Sequence, residues 1–442
     1  MDSNVTANGL IIAAPSSGSG KTVVTLGILA YLKSQGVRVA SLKTGPDYID
    51  PAFHAKATGR ACLNADCWAM REDTLAAAAA AQGADSDLVV CEGVMGLFDG
   101  ATSNEGSTAD LAQITGWPVV LVVDSRAQGA SAGALVKGFA TFRKGVTIAG
   151  VIFNRVGTER HQRVIREAMA EAVPDVPVLG MIPMESGLEL PSRHLGLVQA
   201  TEHHGLDGLM KAAGAVIGRH VDMDALQALA TGWRTRGEIK PLAPLGNRIA
   251  VARDEAFAFA YPMVLDGWRN QGADISFFSP LDDQAPAADS DAVFLPGGYP
   301  ELHAYRISSA DTFLDGVRAA AKRGAVVYGE CGGYMVLGRG MQDADGTPHA
   351  MAGLLPLGTS FETRKLHLGY RRLVLIAETP LGRVHAKLRG HEFHYTTITN
   401  EGPGNHLFEA QDADGVKLGR CGLVQGRVCG SFVHLIDREP RP

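Results

Sequence analysis

The sequence predicts an α/β protein of two domains, and three observations carry that expectation. Apolar strand-like runs alternate with helix-forming stretches over residues 1–200 and again from residue 248, the pattern of mostly parallel sheets with crossover helices. A Pro- and Gly-rich segment, Lys240-Pro-Leu-Ala-Pro-Leu-Gly246, stands between the two patterns, as a linker would. The chain has 442 residues, 53 of them glycine. That length suits two to three domains at about 100–200 residues each, and the glycines suit tight strand–helix turns. The domains are expected at 1–240 and 247–442.

The first domain offers strands at Gly9–Ala14, Val37–Lys43, Leu88–Glu92, Val119–Asp124 and Ile148–Asn154. Helical stretches such as Thr22–Gln35, Thr74–Ala81 and Ala130–Phe142 lie between them. Gly205–Arg236 reads as helical. The second domain offers strands at Ile249–Arg253, Asp274–Phe278, Ala292–Leu295 and Val326–Glu330, and segments after residue 368 suggest a partly antiparallel continuation. Ligands on parallel sheets sit beyond the carboxyl ends of the strands, so the motifs at those ends matter most.

Composition narrows the function classes. A net charge of −6 gives no basic footprint, so no nucleic-acid partner is expected. No uncharged apolar run approaches the roughly 20 residues of a membrane helix, and the polar N-terminus lacks a signal-peptide pattern. The expectation is a cytoplasmic protein with no membrane partner. Six cysteines occur in a long chain expected to be cytosolic, which argues against disulfides; there is no Cys-x-x-Cys and Cys62-x4-Cys67 has no matching His/Cys pair nearby, which argues against a zinc site.

Leu10-Ile-Ile-Ala-Ala-Pro-Ser-Ser-Gly-Ser-Gly-Lys-Thr22 follows a strand and opens a helix, the setting of a P-loop. Backbone N–H groups of Ser17, Gly18, Ser19 and Gly20 and the helix N-terminus can hold phosphate oxygens. Lys21 would neutralise phosphate charge and Thr22 would ligate Mg²⁺. Pro15 stands where the first Gly of the strict pattern belongs, and a plain Gly/Ser-rich turn is the alternative. In Leu88-Val-Val-Cys-Glu92-Gly-Val-Met-Gly-Leu-Phe-Asp99, an apolar strand ends in a carboxylate. Glu92 lies where a metal-binding acid is expected. Lys43-Thr-Gly-Pro-Asp47-Tyr-Ile-Asp50 puts two more carboxylates after a second strand. Asp47 joins Glu92 and Thr22 as a metal ligand, while Asp50 and Asp99 are candidates for substrate or metal contacts. Each acid alone would read as a solvated loop residue.

Ala325-Val-Val-Tyr-Gly-Glu-Cys331-Gly-Gly-Tyr reads as strand, sharp turn and helix, with Gly329 and Gly333 flanking the cysteine. This is the logic of a nucleophile elbow with Cys in place of Ser, and the helix N-terminus is expected to favour the thiolate. His434, after a strand-like run, is the natural base. Pro296-Gly-Gly-Tyr-Pro-Glu301 ends another strand. The N–H groups of Gly298 and Gly332 are candidates for an oxyanion hole. A buried structural thiol and a core histidine are the alternatives.

Taken in order, these motifs resemble the cobyrinic/hydrogenobyrinic acid a,c-diamide synthase family over nearly the whole chain. Leu190-Pro-Ser-Arg-His-Leu-Gly-Leu197 and Gly390-His-Glu-Phe-His-Tyr395 add to the resemblance. It implies a dethiobiotin-synthetase-like P-loop domain fused to a class I glutaminase domain. It implies Thr22, Asp47 and Glu92 as Mg–ATP ligands, Tyr48, Ile49 and Asp50 in a loop that influences substrate binding, and Asp99 near the reacting carboxylate. The implied reaction amidates the a and c side chains of a corrin polycarboxylate, with ATP and glutamine consumed and ammonia passed along an enclosed path between the domains. Class I glutaminases carry His-x-Glu. Here Ile436 fills that third position, so Cys331 and His434 are expected to act as a dyad. The Gly390–Tyr395 segment reads as a structural strand beside the site.

Four alternatives stand beside this reading. Cobyric acid synthase and nickel-sirohydrochlorin a,c-diamide synthase share the domain plan, but the former's P-loop usually reads differently. A partitioning-type ATPase would carry a further Lys early in the loop and would leave the Cys331 elbow unexplained. A non-catalytic scaffold would need neither Cys331 nor His434. No motif separates a cobalt-containing from a metal-free corrin, and the look of the chain, closer to relatives of the aerobic route, points to hydrogenobyrinate. Analogy with dethiobiotin synthetase points to a homodimer.

Overall fold

The computed structural model describes residues 5–185, 192–193, 196–197, 205–235 and 237–439. The Leu190–Leu197 motif lies outside them apart from two short paired strands, Ser192–Arg193 and Gly196–Leu197. The chain forms two compact units: Met1–Trp68 with Leu75–Gly237, and Ala69–Thr74 with Glu238–Pro442. No helix among the described residues is long and apolar enough to cross a membrane.

The first unit is built on seven parallel strands: β1 (Val5–Ala13), β2 (Val39–Thr44), β3 (Leu63–Ala65), β4 (Leu88–Glu92), β5 (Val119–Asp124), β6 (Ile148–Val156) and β7 (Val178–Pro183). Their order is β3-β2-β4-β1-β5-β6-β7. Leu10–Ala14 and Val119–Val123 are almost wholly buried. Helices cover both faces of such a sheet, so its central strands are continuous apolar runs with no polar alternation. Parallel pairing brings the carboxyl ends of β1, β2, β4 and β6 to one edge of the sheet, where the expected nucleotide motifs lie.

One expectation is corrected here. Gly205–Arg236 is helical only over Leu206–His220 and Met223–Ala228, and Thr231–Thr235 is a strand paired antiparallel to β1. The segment Thr-Gly-Trp-Arg-Thr is β-prone. Val5–Asn8, which begins β1 before its parallel neighbours join, gives it an edge to pair with.

The second unit carries a ten-stranded mixed sheet. Asp274–Phe278, Arg248–Ala252, Ala292–Leu295, Val326–Glu330 and Val428–Ser431 run parallel in that order. Lys417–Gln425, Asn405–Gln411, His367–Leu375, Lys387–His394 and Val433–Arg438 continue it antiparallel. One helix that covers it, Asp311–Lys322, buries Phe313, Leu314, Val317 and Ala320. These positions recur at helical spacing and form one stripe. Phe313, fully buried against Phe257 and Phe278, contributes about 1.5–3 kcal/mol by its burial.

Candidate active sites

In the first unit the loop Pro15–Gly20 leaves β1 and enters helix α1 (Lys21–Ser34). Gly20 has φ +86°, and a Cβ there would overlap the Asn154 side chain, so the turn into the helix requires glycine. The loop is tied to the end of β6. Asn154 Nδ2 donates to the Ser19 carbonyl (3.0 Å) and Arg155 Nη1 to the Gly18 carbonyl (2.9 Å). The Ser19 hydroxyl donates to the Ser16 carbonyl (2.9 Å). Ser17 and Gly18 are exposed at the tip. A cleft beside α1 is lined by Gly20, Val23, Asn154, Arg155 and Pro183. Lys21 Nζ donates to the Met95 carbonyl (3.1 Å). Its burial, and then the neighbouring Lys43, lower its pKa to about 8.

Glu92, at the end of β4, is the centre of a buried charge network. Its Oε1 accepts from the Thr22 hydroxyl (2.7 Å) and Lys43 Nζ (2.9 Å), and its Oε2 lies 2.7 Å from His54 Nε2. Lys43 also donates to Asp50 (2.5 Å) and the Gly93 carbonyl (3.3 Å). Burial pushes the Glu92 carboxyl up, but Lys43 and His54 outweigh it and hold the group well below the usual carboxylate range. Burial likewise opposes charge on His54, yet Cys62 and Glu92 raise its pKa to about 10.

Asp47 Oδ1 accepts from the backbone N–H of Ile49 (2.7 Å) and Asp50 (3.3 Å). Its burial and the nearby Asp50 raise its pKa to about 7 against the pull of Lys43. Tyr48 caps helix α2 (Ile49–Thr58), and Ile49 and Asp50 are buried in its first turn. Asp99 is exposed and its Oδ2 accepts from the Gly96 N–H (3.0 Å). The hydroxyl of Thr22 and the carboxylates of Glu92 and Asp47 are hard oxygen donors, which suit Mg²⁺.

In the second unit Cys331 sits at the turn between the strand Val326–Glu330 and the short helix Gly332–Leu337, with φ 47° and ψ −105°. A non-glycine residue there costs about 1–3 kcal/mol of strain. The close approach also needs small neighbours, since a Cβ on Gly333 would overlap the Leu295 carbonyl oxygen. The Cys331 N–H donates to the Ser431 carbonyl (2.8 Å). His434 reaches the same place from the strand Val433–Arg438. A Cβ on Gly297 would overlap His434 Cε1 and lie 3.2 Å from both His434 Nε2 and Cys331 Cβ. The expected nucleophile and base therefore converge on Gly297, which is pinned by the Phe259 N–H to its carbonyl (2.9 Å). A Cβ on Gly332 would lie 3.2 Å from the Gly298 nitrogen, so the two expected oxyanion donors are neighbours.

The surroundings of Cys331 oppose the expected thiolate. Burial, and then the Glu301 carboxylate, push the Cys331 thiol far up and outweigh the Gly332 N–H. Burial, with His391 and His394 nearby, lowers the His434 pKa to about 3. The resting pair is thus a thiol facing a neutral imidazole, in which His434 can take the thiol proton as attack begins.

The Gly390–Tyr395 segment lies beside this site. His391 pairs with His434 across neighbouring strands, and the Cys331 thiol lies 3.7 Å from the Phe393 carbonyl. Glu392 accepts from Arg371 Nε (2.7 Å) and lies 2.9 Å from His394 Nε2. Burial raises its pKa, but these two partners lower it to about 2.

Lys43, His54, Asn154, Arg155 and Glu330 are site residues to which the sequence reading gave no role. Asp50 and His54 stand four apart on one helix, and Lys43 opens a quoted motif, so two of the five left a signal. Asn154 and Arg155 end a strand without a motif, and Glu330 reads as part of the nucleophile turn.

A Cys–His pair at an elbow, with paired N–H donors, in one unit and a P-loop with an acid-ended strand in the other define a glutamine amidotransferase that carries its own nucleotide-binding domain. Residues 10–198 match the CobQ/CobB/MinD/ParA nucleotide binding domain, and residues 248–441 match the CobB/CobQ-like glutamine amidotransferase domain. Proteins named hydrogenobyrinate a,c-diamide synthase are similar over their full length. The one from Brucella abortus is 54% identical over 97% of this chain and 98% of its own. Those from Rhizobium meliloti and Rhodobacter capsulatus are 51% and 50% identical over 97% of this chain, covering 99% and 98% of their own. The chain belongs to the hydrogenobyrinate a,c-diamide synthase family of carbon–nitrogen ligases, which use glutamine as amide donor in cobalamin biosynthesis.

Proposed function

We propose that this chain converts the a and c side-chain carboxylates of hydrogenobyrinate into carboxamides, with ATP, Mg²⁺ and glutamine. The observation that carries the reading is the convergence of Cys331 and His434 on Gly297, in a chain whose relatives bear that name. Glutamine binds the second unit. The Cys331 sulfur attacks its side-chain amide carbon while His434 takes the thiol proton. The N–H groups of Gly298 and Gly332 receive the oxyanion. The C–N bond breaks, His434 gives its proton to the leaving nitrogen, and ammonia departs. Water then cleaves the glutamyl thioester to glutamate and restores the thiol.

In the first unit, the P-loop holds the ATP phosphates and Lys21 neutralises their charge. The nucleotide base lies in the cleft by Asn154 and Arg155. Thr22, Asp47 and Glu92 would hold Mg²⁺, which supplies charge neutralisation at the phosphates. Tyr48, Ile49, Asp50 and Asp99 contact the corrin. The γ-phosphoryl passes to a substrate carboxylate, giving an acyl phosphate and ADP. Ammonia displaces phosphate and leaves the carboxamide. Each round consumes one ATP, one glutamine and one water.

The test is turnover with ATP, Mg²⁺ and glutamine on hydrogenobyrinate and on cobyrinate separately, with products weighed by mass spectrometry. Two carboxylate-to-amide conversions are expected on hydrogenobyrinate. Cys331→Ala should lose them with glutamine and regain them with free ammonia. Unchanged mass on both corrins, with ATP still hydrolysed, would refute the acceptor.

A further inference from the structure

Ile436 leaves the His-x-Glu position without a carboxylate, yet a carboxylate faces His434 from elsewhere. Glu330, the residue immediately before the nucleophile, is buried, and its Oε2 lies 3.8 Å from His434 Nδ1, close but beyond a hydrogen bond. Burial raises its pKa to about 8, so the carboxylate form is populated near and above that pH. Its other oxygen is anchored. Oε1 accepts from the Leu435 N–H (3.1 Å) and the Tyr328 hydroxyl (3.0 Å). The anchor includes the backbone of the residue after His434, so the carboxyl group and the imidazole are held in one frame. On the opposite side, His434 Cε1 and Nε2 face Gly297, next to Cys331. The ring therefore presents Nδ1 to Glu330 and its other edge to the nucleophile.

We propose that Glu330 is the positioning residue of the glutaminase site: its carboxylate closes the short gap to the Nδ1–H of His434 as the base takes up the Cys331 proton, fixes the tautomer whose Nε2 does so, and stabilises the imidazolium that forms. Third-member carboxylates act this way on a base histidine. Here the group comes from the strand before the nucleophile instead of the strand of the histidine. The inference rests on the proposed glutaminase role of Cys331 and His434.

The substitution that isolates this role is Glu330→Gln. Its amide oxygen can keep both anchoring bonds, to the Leu435 N–H and the Tyr328 hydroxyl. Its NH₂ then faces Nδ1 and moves the imidazole proton to Nε2, the nitrogen that must be free to act as base. Tyr328→Phe does the reverse: it removes an anchoring bond and leaves the carboxylate facing His434. The assay is steady-state glutamine hydrolysis by the full chain, with the rate of Cys331 alkylation by iodoacetamide and the melting temperature read alongside. For Glu330→Gln the expected result is a kcat lower by on the order of 10², a KM for glutamine within about threefold, slowed alkylation and an unshifted melting temperature. Tyr328→Phe, which keeps the carboxyl group and its Leu435 anchor, is expected to lose at least about tenfold less kcat than Glu330→Gln. A Glu330→Gln kcat within about threefold of the unmodified chain, or an equal loss in both variants, overturns the proposal. Cys331→Ala separates the layers: if it still hydrolyses glutamine, the glutaminase reading itself fails; if it does not while Glu330→Gln is active, only the role of Glu330 falls.

Discussion

Lys43→Met removes the cation at the centre of the first unit's charge network. Lys43 is almost fully buried and touches Asp50, Glu92 and the Gly93 carbonyl. Taking away one partner of a buried ion pair costs about 3–5 kcal/mol, because the remaining charge stays out of water. Two features place this case at the lower end. Glu92 keeps the Thr22 hydroxyl and the His54 ring, and the Asp50 side chain retains 12% exposure. A loss of about 3 kcal/mol follows, or about 6–12 °C in the melting of a unit of this size. Because Glu92 is held below its ordinary pKa, its favourable interactions are present at neutral pH and are lost as the solution is acidified through its folded value. The measurement therefore belongs near pH 7.5. Two units can unfold separately, so hydrogen exchange of β1 and β4 peptides should be compared with that of Arg248–Ala252. A loss below about 1 kcal/mol in β1 and β4, or an equal loss in the second unit, would refute the reasoning.

Two further outcomes are expected. Asp47 is raised to about 7, so it is protonated below that value and becomes a usable ligand above it. Mg²⁺ affinity in the presence of a non-hydrolysable ATP analogue should strengthen from pH 6 to pH 8, with proton release by calorimetry, and Asp47→Asn should flatten the profile; a profile unchanged by that substitution would remove Asp47 from the ligand set. In the second unit, buried Asp437 accepts from the Arg71 side chain (3.1 Å), the Arg71 N–H (3.0 Å) and the Thr74 hydroxyl (2.6 Å). Arg71→Met should destabilise that unit by about 2 kcal/mol, the value of a charged hydrogen bond, and a denaturation midpoint that does not move would show the bond to be unimportant.

Much of this protein was legible along the chain because parallel sheets announce themselves. Leu88–Glu92, Val119–Asp124, Ala292–Leu295 and Val326–Glu330 are strands with the very bounds their apolar runs suggest, since both faces are buried and no alternation blurs the pattern; the mostly exposed edge strand Asp274–Phe278 keeps its expected bounds too. The motifs sit at strand ends for the same reason: the turn that leaves a parallel sheet is where backbone N–H groups and side chains are free to meet a ligand. Sequence alone thus named Lys21, Thr22, Glu92 and Cys331 as candidates, and the order of motifs named the family.

Tertiary structure decided which groups face one another. The strand Thr231–Thr235 exists because the first part of β1 offers it an edge, a condition no local pattern contains. Lys43 and His54 became partners of Glu92 only when β2, α2 and β4 were brought together. Cys331 carries the motif of an activated thiol, but burial and the Glu301 carboxylate set its protonation. The dyad expected from Ile436 acquired a third candidate because the register of the last strand sets Leu435 and His434 against Glu330, more than a hundred residues away in the chain. Residue types and strand ends are local properties, whereas burial and pairing across strands depend on the whole sheet, and these set the electrostatics of both sites.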